Sequence, residues 1–133
     1  MTKDIELAWA AGFIDGEGTF RFQRNGRSIH GHFCMTAAQV DRRPLDRLQQ
    51  AIGAGKVYGP YGPYQHNHQP HYQFNHTGPD AAEAFLLLRP YLGPIKQRQG
   101  DEALTTFYES ENGPSSKYDR YKDERIYQWP LLG

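Results

Sequence analysis

The segment that decides the fold is Ala10-Ala-Gly-Phe-Ile-Asp-Gly-Glu-Gly18, near the start of a chain of 133 residues. The stretch from Ile5 to Ile14 is mostly apolar, rich in alanine and free of proline, which predicts a helix. Gly16 and Gly18 are suited to end it, because glycine accepts the backbone conformations found after a helix C-terminus. The segment therefore predicts a helix whose end carries Glu17.

The spacing of the apolar residues changes directly after this segment. From Thr19 to Arg24 apolar and polar side chains alternate, so Phe20 and Phe22 point to one face of a strand. Asn25-Gly26 is a strong two-residue hairpin signal, and the alternation resumes after it. We predict a β-hairpin with one apolar face and one polar, basic face.

The remaining sequence repeats this order of elements. In chain order it predicts a helix, a short strand, an alternating strand and two further helices, at 45–52, 56–58, 71–76, 81–88 and 95–108. The order predicts an α+β domain over 1–111, with one antiparallel sheet and helices on its apolar face. We predict that 112–133 form a C-terminal tail, and we assign it no structure.

Composition leaves nucleic-acid binding open. Lysine plus arginine equals aspartate plus glutamate, 15 each, whereas nucleic-acid-binding proteins usually carry a basic excess. The charges are unevenly distributed, however, because six arginines stand between Arg21 and Arg47 against two aspartates. A neutral chain can therefore still present one basic face.

The same sequence argues against a secreted or membrane-embedded protein. It has a single cysteine, Cys34, and no apolar run near the ~20 residues that cross a bilayer. Its first residues lack the basic and apolar regions of a signal peptide. We expect an intracellular protein, cytoplasmic or in an organelle, with no membrane partner and no small-molecule cofactor.

The predicted first helix carries a stripe of small residues at spacings of three and four. Small side chains let two helices approach more closely than the usual ~8–10 Å between axes. We therefore predict that two copies of the helix pack together in a homodimer, with an interface that includes Ala8, Ala11, Gly12 and Asp15. This packing would bring two Glu17 carboxylates together.

Glu17 is the main candidate for chemistry. A carboxylate at a helix C-terminus is disfavoured by the helix dipole, so folding alone gives little reason for it. A hard divalent cation such as Mg²⁺ takes oxygen ligands and would relieve the repulsion between two carboxylates. The alternative interpretation is an exposed turn residue without a chemical role.

Residues 10–18 resemble the LAGLIDADG signature, with Ala10, Phe13, Gly16 and Glu17 replacing Leu, Leu, Ala and Asp. Together with the elements around it, the chain resembles LAGLIDADG homing endonucleases of the single-motif, homodimeric type over about residues 5–107. The resemblance implies an αββαββα fold with a DNA-binding antiparallel sheet and helices on its other face.

The resemblance also implies an activity. Members of this family cut double-stranded DNA at a specific, near-palindromic site by metal-dependent phosphodiester hydrolysis. It implies that Glu17 and the Gly16 carbonyl hold Mg²⁺ or another divalent cation such as Mn²⁺. Lys96, in Leu88-Arg-Pro-Tyr-Leu-Gly-Pro-Ile-Lys96, falls on the family's active-site lysine, and Gln39 falls on its active-site glutamine.

The polar sheet face would bind DNA in the major groove, where arginine reads guanine and glutamine or asparagine reads adenine. The predicted base-reading residues are Arg21, Gln23, Arg24, Arg27, Ser28, His30, His32, His71, Gln73 and Asn75. Those expected to contact phosphates, which position the protein without specifying sequence, are Arg42, Arg43 and Lys56.

Other functions stay open at this point. A protein that resembles this family but no longer cleaves DNA would act as a DNA-binding regulator. A protein of the same resemblance that assists RNA splicing would act as a maturase. A purely structural dimer would leave Glu17 and Lys96 unexplained. A histidine metal site at His66, His68 and His71 is disfavoured, because the segment has no cysteine and no regular zinc spacing.

Overall fold

Helix α1, Lys3–Glu17, runs into strand β1, Gly18–Arg24, without a connecting loop. The structure is a computed structural model that describes residues 3–24, 26, 31–63 and 69–110. The direct junction depends on Gly18, because a Cβ there would lie 2.5 Å from Ile14 Cδ1 and 3.0 Å from Ile14 Cα. The missing side chain lets the strand start against the last helical turn, which fixes where Glu17 lies.

Three further strands complete one antiparallel sheet of order β1-β2-β4-β3. They are β2, β3 and β4, at Gly31–Gln39, Lys56–Tyr61 and His71–Thr77. The other helices are α2, α3, a short 3₁₀ helix and α4, at Arg42–Ile52, Pro79–Leu88, Arg89–Tyr91 and Pro94–Glu109. The predicted α+β order is confirmed, and no helix among the described residues is long and apolar enough to cross a membrane.

The core lies between the helices and one face of the sheet. Phe20, Phe33 and Phe85 pack together, with ring centroids 4.8 to 6.0 Å apart. Each of these rings is at most 1% exposed, and burying such a side chain contributes roughly 1.5–3 kcal/mol. Phe20 and Phe22, which alternation predicted to share one face, are buried and half-buried. The side chains that follow the same alternation in β2 and β4 are buried or half-buried too: Phe33, Met35, Ala37, Tyr72 and Phe74.

Candidate functional site

The sheet face away from the helices carries rows of side chains aligned by the strand register. Residues opposite each other on antiparallel strands have Cβ atoms about 4.5–5.5 Å apart. The row that crosses all four strands comprises Thr19, Thr36, Asn75 and Lys56. The other rows comprise Gln23 and His32, then Arg21, Cys34 and Thr77, then Ala38, Gln73 and Tyr58. We call the surface formed by these four rows the open sheet face.

The structure brings most of the predicted base-reading residues that it describes to this open sheet face. His71 joins it beside Gln73, since their side-chain nitrogens lie 3.3 Å apart. Arg24 differs, because its guanidinium lies 5.8 Å from the ring centre of Phe22, a residue of the apolar side of the strand. Arg27, Ser28 and His30 lie outside the described residues.

The predicted phosphate contacts fall into two groups. Lys56 is exposed in the row that crosses the open sheet face. Arg42 instead pairs with Asp46 at 3.1 Å, and Arg43 pairs with Asp41 at 2.7 Å. Hydrogen bonds from the side chain and backbone of Arg43 lower the pKa of Asp41 to about 2. Arg42 and Arg43 are therefore each paired with a neighbouring aspartate.

Glu17 is the last residue of α1, and its side chain is exposed at the border of the open sheet face. It lines a depression of about 310 Å³ that is otherwise formed by strand residues. Those residues are Thr19, Arg21, Thr36, Ala37, Ala38, Gln73 and Asn75. One acidic side chain thus stands beside the polar groups predicted to meet DNA.

Helix α4 brings Lys96 to the same junction. Its Nζ donates a hydrogen bond to the Gly18 carbonyl oxygen at 2.6 Å, although the two residues are 78 positions apart in the chain. Three residues further along, Gln99 Oε1 accepts the Phe20 backbone N–H at 2.8 Å. Sequence reasoning predicted Lys96 and missed Gln99, whose only signal is its i+3 spacing on the same helix face.

Gln39 is not part of this arrangement. It ends β2 opposite Tyr72 and is half-buried. Strand alternation assigns its side chain to the same face as those of Ala37 and Tyr72, and Gln39 is not among the residues that line the depression beside Glu17. The structure therefore brings Glu17 and Lys96 to one junction and leaves Gln39 on the other side of the sheet.

Three of the four residues predicted for the dimer interface on α1 are exposed, and the fourth is not. Ala8, Gly12 and Asp15 are exposed, and a Cβ added at Gly12 would meet nothing within 4 Å. Ala11 is fully buried within the core of its own chain, so its prediction as an interface residue is wrong. The spacing of small residues does not reveal which of them the chain's own core covers. Ile5, which is 51% exposed, extends the stripe instead.

Asp15 has a role within the chain. Both of its carboxylate oxygens accept the Gly93 backbone N–H, at 3.0 and 3.1 Å. Gly93 is the N-cap of α4 and has no side chain with which to cap the helix itself. Asp15 therefore supplies the cap from another helix, where a negative charge also favours the helix dipole.

The donor set around Glu17 consists of oxygen atoms. Among the described residues, no three His, Cys, Asp or Glu side chains are close enough to hold a metal ion as a group. The Glu17 carboxylate and the adjoining backbone carbonyl of Gly16 are hard ligands of the kind that Mg²⁺ takes while keeping several waters. His66 and His68 lie outside the described residues.

No family model and no curated protein matches the chain. Solved structures do match. One is the homing endonuclease I-CvuI, in complex with the I-CreI target in the presence of 2 mM Mg, with the DNA not cleaved. It matches with a TM-score of 0.62 at 20% identity, over 98% of this chain and 83% of that one.

Two other solved structures are similar. The archaeal intron-encoded homing endonuclease I-Vdi141I, complexed with DNA, gives 0.55 at 15% identity, covering 98% of this chain and 99% of that one. The LAGLIDADG meganuclease I-CpaMI, bound to uncleaved DNA, gives 0.53 at 18% identity. That match covers 95% of this chain and 51% of the meganuclease, so the chain spans about half its length.

Proposed function

From the LAGLIDADG homing endonuclease fold that this chain adopts, we propose that it is a site-specific, metal-dependent DNA endonuclease that acts as a homodimer on a near-palindromic target. The observation that carries this proposal is the position of Glu17, an exposed residue that lines the same depression as Arg21, Gln73 and Asn75. A group able to hold a divalent cation thus borders a surface able to read base edges.

The open sheet face supports DNA as the substrate. The major groove is about 12 Å wide and admits a β-structure. Arg21 and Gln23 lie on the outward side of β1, and Gln73 and Asn75 lie on the outward side of β4. Arginine pairs with guanine, and glutamine or asparagine pairs with adenine, so these four side chains form a direct-readout surface.

The oxygen donors at the junction fit a divalent cation. Glu17 and the Gly16 carbonyl of each subunit would hold Mg²⁺ or Mn²⁺. Such ions, when bound, supply water activation and neutralise charge on the attacking and leaving oxygens of the phosphate. Lys96 lies at the same junction, so its ammonium would stabilise negative charge that develops on the phosphate. Gln39 is left out of this set because of its position.

The exposed side of α1 supports the homodimer. This side carries the apolar or small residues Ile5, Ala8 and Gly12. A Cβ at Gly12 would meet nothing within 4 Å, so a second helix could approach closely there. A two-fold dimer would place two Glu17 carboxylates near its axis and one reading surface on each side. Because a two-fold protein imposes its symmetry on its ligand, the target would be near-palindromic.

The test uses the purified protein, Mg²⁺ and a library of DNA duplexes with a randomised site. We expect double-strand ends that share one near-palindromic sequence, and no such ends with the Glu17→Gln control. Enrichment of a site that neither protein cuts would replace the nuclease proposal with a DNA-binding regulator. Tighter retention of intron RNA than of DNA in a filter assay would favour a maturase.

A further inference from the structure

Helix α4 packs along β1, which is an edge strand of the sheet. Within the part of the chain that the structure describes, this strand pairs only with β2, so the backbone N–H and C=O groups of alternate residues point away from the sheet. Two of these edge groups are bonded by α4 side chains: the Gly18 carbonyl accepts from Lys96, and the Phe20 N–H donates to Gln99. The edge of the sheet next to Glu17 is therefore held by side chains of one helix.

Contacts with α4 also hold the junction between α1 and β1, where Glu17 lies, on both sides. Asp15, two residues before Glu17, is bonded to Gly93 at the start of α4. Gly18, one residue after Glu17, packs on Ile14 and accepts from Lys96. Glu17 thus stands between two residues that are each tied to α4.

Helix α4 is itself seated tightly at the level of Gln99. The next residue, Gly100, is buried against Phe85, and a Cβ at this position would overlap the phenyl ring. The absence of a side chain at Gly100 therefore lets the helix backbone pack directly against the Phe85 ring. Gln99 therefore accepts the Phe20 N–H from a helix that is packed closely against the core at the next residue.

We propose that Gln99 is a positioning residue for cleavage, which fixes the Phe20 amide and through it the Glu17 carboxylate. This inference rests on the proposed nuclease function. A displacement of about 1 Å at a reacting centre can cost roughly 10²-fold in rate, whereas the loss of one hydrogen bond at the edge of the sheet leaves the core of the fold in place. Loss of the Gln99 bond should therefore affect cleavage much more than folding.

The test compares three variants. Gln99→Met keeps the side-chain length and removes the acceptor, whereas Gln99→Glu keeps an acceptor oxygen. Gln97→Met is the matched control, because Gln97 is on the same helix and donates to the Arg89 carbonyl oxygen, away from the junction. Each variant is assayed for single-turnover cleavage, for its Mg²⁺ dependence and for DNA binding in Ca²⁺.

We expect Gln99→Met to slow cleavage by about tenfold or more and to require more Mg²⁺, with DNA binding within about threefold of the unchanged protein. Gln99→Glu should recover most of the rate, and Gln97→Met should cut like the unchanged protein. Wild-type rate and Mg²⁺ dependence in Gln99→Met, or an equal loss in Gln97→Met, would overturn the inference.

A second measurement separates this inference from the nuclease proposal. The backbone amide NMR signals of Glu17 and Gly18, recorded without DNA or metal, should move in Gln99→Met and stay in place in Gln97→Met. If the unchanged protein cuts no DNA while these signals behave as expected, the nuclease proposal fails and the positioning contact stands. Unmoved Glu17 and Gly18 signals in Gln99→Met would contradict the contact itself.

Discussion

Two acidic side chains at the end of α1 have different partners although they are two residues apart. Helical positions two apart are rotated by about 200°, so Asp15 and Glu17 leave the helix on different sides. Asp15 reaches the Gly93 amide and caps α4, whereas Glu17 faces the depression on the open sheet face. Of the two acidic side chains, only Glu17 is left beside the surface proposed for DNA.

His76 gives a prediction for stability against pH. It is 8% exposed on the inward side of β4, and burial lowers its pKa from 6.5, although Asp80 opposes the shift. The unfolded chain therefore binds more protons than the folded chain just below pH 6.5. The free energy of unfolding in urea should decrease as the pH falls from 7 to 5.

The control for this prediction is His76→Leu, which removes the titrating group and keeps an apolar side chain at the buried position. Its unfolding free energy should depend less on pH across the same interval. An identical slope in the variant and the unchanged protein would assign the pH dependence to other groups.

At the scale of the elements, a largely buried ion pair joins α4 to the 3₁₀ helix. Arg89 donates to both carboxylate oxygens of Asp101, at 2.9 and 2.7 Å, and the two side chains are 19% and 11% exposed. Removing one member of such a pair leaves the other charge poorly solvated. Asp101→Ala should therefore lower the free energy of unfolding by about 3 kcal/mol.

The exposed pair of Arg42 and Asp46 is the matched control, since its side chains are 48% and 42% exposed. Asp46→Ala should change stability by no more than about 0.5 kcal/mol in a urea melt. The double variant Arg89→Met with Asp101→Leu should be more stable than Asp101→Ala alone. Equal effects at the buried and the exposed pair would contradict this view of the contact.

At the scale of the whole molecule, α1 is the proposed interface between two copies. Because Gly12 is exposed and a Cβ there would meet nothing within 4 Å, Gly12→Leu should fold normally and block close helix approach. We expect the unchanged protein to sediment as a dimer and Gly12→Leu as a monomer with the same circular dichroism. Gln50→Leu, at an exposed position of α2, should remain dimeric. A dimeric Gly12→Leu would place the interface elsewhere.

The features of the fold that could be predicted from the sequence are those that depend on neighbouring residues in the chain. Alternation assigned Phe20 and Arg21 to opposite sheet faces, because side chains on a strand change face at every residue. The contacts of Lys96 with Gly18 and of Asp15 with Gly93 each join residues 78 positions apart, so no local pattern contains them. The motif resemblance indicated Lys96, and only the three-dimensional packing revealed Gln99.

The measurement that tests the central claim most directly is cleavage of the selected DNA site by the unchanged protein and by Glu17→Gln, with each strand labelled. Because loss of groups that merely support a metal ligand costs 10–100-fold, loss of a ligand should cost at least about 100-fold. We expect one cut in each strand, related by two-fold symmetry, with Mg²⁺. Glu17→Gln should bind the site equally well in Ca²⁺ and cut at least about 100-fold more slowly. Equal cutting by both proteins, or no cutting by the unchanged one, would contradict the claim.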